Sequence, residues 1–128
     1  QGMLDSGVTV VLDRYIFSTL AYNCETPQEM TAVIDMHGGF YIVPDVVFWL
    51  YMNPEQSLER KGKNPAELFE TVEYLKKVDQ RYEDIFRQSI RPYLTKNVCI
   101  IGGSMTLETV QHTIWHAVQS LFPLRKSV

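Results

Sequence analysis

The sequence predicts an α/β protein whose parallel sheet is flanked by helices. Three short apolar runs carry that expectation: Val8-Thr9-Val10-Val11-Leu12, Val46-Val47-Phe48-Trp49-Leu50-Tyr51 and Val98-Cys99-Ile100-Ile101. Each is β-branched or aromatic and apolar nearly throughout, as expected of strands buried on both faces. Helical patterns separate them, and strand alternating with helix is the signature of βαβ units.

Taken in order, residues 1–7 read as the tail of a helix closed by Gly7 before the first strand begins. After that strand, Thr26-Pro27-Gln28-Glu29 forms a capping box with proline at the first helical position. The helix it opens runs to His37, where Gly38-Gly39 stops it, and Pro44 introduces the second strand. Asn53-Pro54-Glu55 then starts a short helix: Asn53 accepts a free backbone N–H and Glu55 complements the positive end of the dipole. Gly62 and Pro65 interrupt it. Between residues 66 and 94, Leu68, Val72, Leu75, Val78, Tyr82, Ile85, Phe86 and Ile90 draw one apolar stripe on a long helix, with Pro92 marking its end. Following the third strand and Gly102-Gly103, the positions Leu107, Val110, Ile114, Ala117, Val118 and Leu121 predict a closing helix.

Composition narrows the function classes. A chain of 128 residues is one domain by length, and 45% hydrophobic with 21% charged residues is the balance of an ordinary globular protein. Twelve basic against 15 acidic side chains give a formal net charge of −3, with no Lys/Arg cluster of the kind a nucleic-acid polymer requires. Two cysteines, Cys24 and Cys99, are too few for a secreted disulfide framework, so a reducing, cytoplasmic setting is expected. No run approaches the ~18 apolar residues of a membrane span, and no membrane partner is expected.

The first strand ends abruptly in Asp13-Arg14-Tyr15, followed at helical spacing by Ser18, Tyr22 and Asn23. Ligands of open α/β sheets collect beyond the carboxyl ends of the strands, so these side chains are placed for chemistry on a small phosphorylated ligand. Arg14 offers planar bidentate donors to phosphate, while Asp13 could orient Arg14, accept a proton, or hold a water on Mg2+. The alternative is a structural Asp13–Arg14 ion pair with Tyr22 as plain core.

Four blocks extend this motif in order: Val11-Leu12-Asp13-Arg14-Tyr15 with Ser18 and Ala21-Tyr22-Asn23; Pro44-Asp45-Val46-Val47 through Leu50 to Asn53-Pro54-Glu55 and Arg60; Phe69-Glu70 with Leu75-Lys76-Lys77-Val78 and Tyr82; and residues 98–103 with Glu108 and Val110. Together they resemble the C-terminal part of a thymidylate kinase, a nucleoside-monophosphate kinase of the P-loop class. The resemblance implies a P-loop nucleoside-monophosphate-kinase-like parallel sheet flanked by helices, here missing its N-terminal strands and phosphate loop. Residues 1–128 would then be the C-terminal portion of a single domain. It implies transfer of the ATP γ-phosphoryl group to dTMP, giving dTDP for dTTP synthesis, with Mg2+ as cofactor and a homodimer as the assembly. Arg14 would grip the acceptor phosphate and Asp13 would support Mg2+-assisted transfer, directly or through water. Ser18 would line the pocket, and Tyr22 would press on the deoxyribose and disfavour a 2′-hydroxyl. Asn23 stands where the family often has glutamine or threonine, and Phe69 replaces a tyrosine that packs on the sugar. Glu70 matches the family, whereas Tyr51-Met52 stands where an aspartate commonly follows the strand's leucine.

The segment Arg60-Lys61-Gly62-Lys63-Asn64 resembles the family's lid, with Arg60 catalytic and Lys61 and Lys63 neutralising phosphoryl charge. A solvated basic turn is the alternative. Gly102-Gly103-Ser104 follows the last strand where relatives contact the ATP adenine, the alternative being a plain helix-entry loop. His112 and His116 lie four apart, but Thr113 replaces the glutamate of HExxH, so exposed helix positions are expected. Phe48, Trp49 and Tyr51 read as core.

ATP-dependent transfer in this class needs a GxxxxGK[ST] loop, and none is present; Gly62-Lys63 is followed by Asn64. The chain is therefore expected to begin partway through a longer kinase, with activity only in the complete chain. On that reading the runs at 8–12 and 46–51 would flank an absent strand rather than pair. Another P-loop kinase acting on a nucleoside or pyrimidine monophosphate, or a non-catalytic nucleotide-binding module, are the alternatives.

Overall fold

Capping chemistry decides where most of the helices begin and end. A computed structural model describes residues 2–38, 40–60, 72–87 and 94–122, with the side chains of 58 and 59 also outside the description. Its first helix, α1 (Gly2–Asp5), is a single turn closed by Gly7 at φ 81°. Gly7 N–H donates to the Leu4 carbonyl at 2.9 Å and Val8 N–H to that of Met3 at 3.0 Å, the paired bonds of a Schellman closure. In α3 (Pro27–His37), Thr26 Oγ1 accepts the Glu29 N–H at 3.2 Å while the Glu29 carboxylate accepts the Glu25 N–H at 2.6 Å. The capping box therefore reaches one residue further back than the usual pattern. Asn53 Oδ1 accepts the Glu55 N–H at 2.8 Å to open α4 (Pro54–Arg60). Thr106 Oγ1 does the same for Thr109 N–H at 3.3 Å at the start of α6 (Leu107–Leu121).

Between these lie α2 (Ile16–Asn23), β1 (Val47–Tyr51), α5 (Val72–Arg87) and β2 (Val98–Gly102). The strands pair in parallel, Val47 opposite Val98 through Tyr51 opposite Gly102. Their entry is latched by side chains: Lys96 Nζ meets Asp45 at 2.7 Å, and Asn97 Nδ2 donates to the Asp45 carbonyl at 2.9 Å.

Because strand side chains alternate, this register puts Trp49 and Ile101 on opposite faces of the sheet. Trp49 joins a core cluster with Phe17 and Leu20 of α2, Met30 of α3, and Ile85 and Phe86 of α5. The Phe86 ring lies 5.2 Å from Phe17, 5.3 Å from Trp49 and 6.0 Å from Tyr82. Ile101 and Val110 are buried outside that cluster, and α6 is in contact with β2. Helices thus cover both faces of a two-stranded parallel sheet, as an α/β architecture requires.

Two expectations need correction. Residues 8–12 form no strand, and Val11 and Leu12 are 89% and 61% exposed. An extended run becomes a strand only by exchanging backbone hydrogen bonds with a neighbour, and β1 is paired with β2 alone among the described residues. The remaining strands are not buried on both faces throughout: Leu50 and Ile100 are 51% and 41% exposed. The two runs at 8–12 and 46–51 do not pair with each other. The helix expected from 66 to 94 is described as Val72–Arg87, and the remainder of that expectation, Pro92 included, falls mostly outside the described residues.

Candidate functional site

The turn into α2 is where the backbone departs most from ordinary geometry. Arg14 has φ 68°, the one positive φ outside glycine among the described residues. For an L-residue this left-handed conformation costs about 1–2 kcal/mol, so the surrounding turn must hold it in place. Tyr15 supplies part of that hold. Its ring stacks on Tyr41 with centroids 5.4 Å apart, and its hydroxyl oxygen accepts the Ile42 N–H at 3.3 Å. Tyr41 in turn donates its hydroxyl to the Leu94 carbonyl. Burial, with a smaller contribution from Tyr15, pushes the Tyr41 hydroxyl far above its ordinary range, so it remains a donor.

The left-handed turn carries the Arg14 guanidinium carbon to 6.0 Å from the centroid of the Tyr22 ring. That is within cation–π range, an attraction of about 0.5–1 kcal/mol at an exposed site. Ser18 and Tyr22 lie four residues apart on α2 and so share a face. Arg14 thus lies against Tyr22, Ser18 shares the Tyr22 face of α2, and Asn23 is the last residue of the helix. Asp13 and Arg14 are both exposed, and no ion pair joins Asp13 to Arg14. The structural ion pair considered from sequence is not formed.

The other side of the site comes from α5, where the motif blocks included Leu75 to Val78 and Tyr82 but not Tyr74 or Arg81. Tyr82 donates its hydroxyl to Ser18 Oγ at 3.3 Å, Arg81 Nη1 donates to the Ala21 carbonyl at 3.0 Å, and Tyr74 donates to the Tyr22 carbonyl at 3.4 Å. The Tyr74 and Tyr22 rings meet edge to face at 6.2 Å. The signal available in the sequence was spacing: positions 74, 78, 81 and 82 fall on one face of a helix that also carries the core residue Val78.

A shallow pocket of about 170 Å3 opens between β1, α4 and α5, lined by Trp49, Met52, Pro54, Leu75, Asp79 and Tyr82. Tyr82 borders both this pocket and the α2 face. Burial, and next the charge of Glu83, push the Asp79 carboxyl above the usual aspartate range. Helix α4 is tied to α5 by Glu55 and Lys76 at 2.6 Å, and that hydrogen bond is the largest influence holding the Glu55 carboxyl below its ordinary range.

Arg60 ends α4 and is exposed, whereas Lys61, Lys63, Phe69 and Glu70 lie outside the described residues. Gly103 is buried and donates its N–H to the Tyr51 carbonyl at 2.6 Å. A Cβ there would meet the Tyr51 carbonyl oxygen at 3.1 Å and Met52 Cε at 3.0 Å, so the position favours glycine for close approach rather than for dihedral freedom. Ser104 beside it is exposed. His112 and His116 are exposed on α6, as expected, and Phe48, Trp49 and Tyr51 are buried or half-buried. Among the described residues no three His, Cys, Asp or Glu side chains are grouped to hold a metal, and no helix is long and apolar enough to cross a membrane.

Chemically, this is an exposed guanidinium, free of any carboxylate partner among the described residues, 6.0 Å from the centroid of an aromatic ring. Such a group is available to a phosphate, which a planar fork of donors recognises bidentately.

Comparison with known proteins gives these residues a context. The family profile described as thymidylate kinase matches residues 1–114. A probable thymidylate kinase of Archaeoglobus fulgidus is 28% identical over 125 residues, covering 97% of this chain and 60% of that protein. The thymidylate kinase of Leptospira interrogans is 37% identical over 99 residues, 73% of this chain and 48% of its own length. That of Brachyspira hyodysenteriae is 32% identical over 93 residues, 71% and 44% respectively. The chain thus spans about half the length of the curated relatives it matches.

Proposed function

The chain belongs to the thymidylate kinase family, and from that premise we propose that the full-length protein transfers the γ-phosphoryl group of ATP to dTMP, with the α2 segment gripping the acceptor. The observation that carries this reading is the Arg14 guanidinium, exposed, without a carboxylate partner among the described residues, and 6.0 Å from the Tyr22 ring centroid. We read the 128 residues as the acceptor-side portion of one such domain, cytoplasmic and acting as a homodimer. The run of exposed apolar side chains at 8–12 supports it, since these need cover from further structure.

In this account Arg14 binds the dTMP phosphate bidentately and Ser18 donates beside it. Tyr22 presents its ring to both the guanidinium and the deoxyribose, and bulk at that point disfavours a 2′-hydroxyl. Asn23, at the end of α2, and Phe69 complete the acceptor pocket. Arg60 acts in catalysis at the donor phosphates, with Lys61 and Lys63 beside it. Magnesium, when bound, neutralises charge on the transferring phosphoryl group. Asp13 fits a contact to it through a metal-bound water, since its carboxylate is exposed and makes no ion pair with the neighbouring guanidinium. We assign Ser104, exposed after the tight Gly103 turn, to the ATP adenine edge.

A nucleotide panel tests the assignment. With the full-length protein and ATP, dTMP should be phosphorylated and should outcompete dCMP and UMP in mixtures. Preference for dCMP or UMP moves the protein to another acceptor, and nucleotide binding without any phosphoryl transfer makes it a binding module.

A further inference from the structure

Every helix leaves its last carbonyls without partners inside the helix, and those of α2 are collected by a neighbouring helix. The Leu20 carbonyl of that turn is taken up locally, by Cys24 N–H at 3.1 Å. The Ala21 carbonyl accepts from Arg81 at 3.0 Å and the Tyr22 carbonyl from Tyr74 at 3.4 Å, both on α5. A cation at this point also faces the negative end of the α2 dipole. Arg81 is half-buried and its bond is charge-assisted, which makes it the strongest of the polar ties between the two helices.

We propose that Arg81 is a positioning residue for the acceptor site: its bond to the Ala21 carbonyl fixes the last turn of α2 and thereby the Tyr22 ring over which Arg14 lies. The chain of contact is short. Ala21 and Tyr22 are adjacent, so any slide or unwinding of that turn moves the Tyr22 ring, and with it the surface that supports the Arg14 guanidinium. Tyr82 on Ser18 holds the preceding turn, so loss of Arg81 loosens the end of the helix, leaving it tied to α5 through the longer Tyr74 bond, while its middle stays held. Arg81 itself touches no proposed ligand position and acts through α2 alone.

The proposal rests on the acceptor-side reading of α2, and two variants and two measurements separate them. Arg81→Met keeps the apolar stem and removes the donor, whereas Arg81→Lys keeps a cation able to reach the same carbonyl. In the full-length protein, Arg81→Met should raise KM for dTMP by about five- to tenfold, less than the full worth of one hydrogen bond to a charged group because Arg81 acts through α2, while KM for ATP stays within twofold. Arg81→Lys should recover most of that loss. Amide hydrogen exchange supplies the second readout: Arg81→Met should speed exchange at Cys24, whose N–H closes the same turn, and Arg81→Lys should restore it. Equal rises in both KM values, or unchanged exchange at Cys24, overturn the positioning role. Absence of dTMP turnover in the unaltered protein refutes the parent reading instead, and the exchange measurement still decides whether Arg81 holds the turn.

Discussion

Adding one carbon at Gly103 should cost stability, while adding it at Gly102 should not. A Cβ at Gly103 lands 3.1 Å from the Tyr51 carbonyl oxygen, 3.0 Å from Met52 Cε and 3.3 Å from Met52 Cβ. The Met52 methyl can turn away, but the Tyr51 carbonyl is fixed, because it accepts the Gly103 N–H at 2.6 Å at the end of β1. Relief therefore requires the two backbones to separate, an overpacking cost of about 1–3 kcal/mol. Against it stands the ordinary gain from replacing glycine, about 0.4–1 kcal/mol through the unfolded chain. The net expectation is destabilisation of about 1–2 kcal/mol, or roughly 3–6 °C in Tm. At Gly102 the same carbon meets only the flexible Met105 side chain, at 3.5 Å and beyond, so Gly102→Ala should be neutral or slightly stabilising. Urea denaturation of both variants, with unchanged m-values, makes the comparison. Gly103→Ala proving as stable as Gly102→Ala would refute the close-approach argument.

Other substitutions test the core, the charges and the caps. Phe86→Ala empties the centre of the ring cluster formed with Phe17, Trp49 and Tyr82 and should cost about 3–5 kcal/mol in urea denaturation; a loss under 1 kcal/mol, on the order of a surface change, contradicts the packing. Asp79 has a folded-state carboxyl pKa raised by burial and Glu83, so its native form favours the proton and stability falls as pH rises through that interval. Asp79→Asn should therefore raise Tm at pH 7, and the gain should disappear below the ordinary aspartate range, where the carboxyl is protonated folded and unfolded alike. Thr26→Ala removes the oxygen that accepts the Glu29 N–H and should cost about 1 kcal/mol by denaturation.

The elements read most directly were those whose signals are local. Thr26 with Pro27 and Glu29, Asn53 with Glu55, and Gly7 each act within a few residues, and each terminus formed where its chemistry placed it. The two paired strands were legible for a related reason, their side chains being suited to a sheet whichever neighbour they met. Residues 8–12 have the same composition and form no strand, because strand formation depends on a partner and composition carries no information about one. At the site, Arg14, Ser18 and Tyr22 were visible because they belong to one turn and the helix that follows it. Arg81 and Tyr74 were not, since their partners are the backbone carbonyls of Ala21 and Tyr22, some 60 and 52 positions away, and a carbonyl has no residue identity to read. The left-handed backbone at Arg14 was equally hidden, as nothing in an arginine announces it.

The central claim is that Arg14 grips the acceptor phosphate, and steady-state kinetics of Arg14→Ala in the full-length protein test it most directly. One residue that both binds the phosphate and aligns it for transfer should, when removed, raise KM for dTMP and lower kcat together, with kcat/KM falling by about 100-fold or more. Unchanged kinetics with dTMP would take Arg14 out of the site and contradict the account.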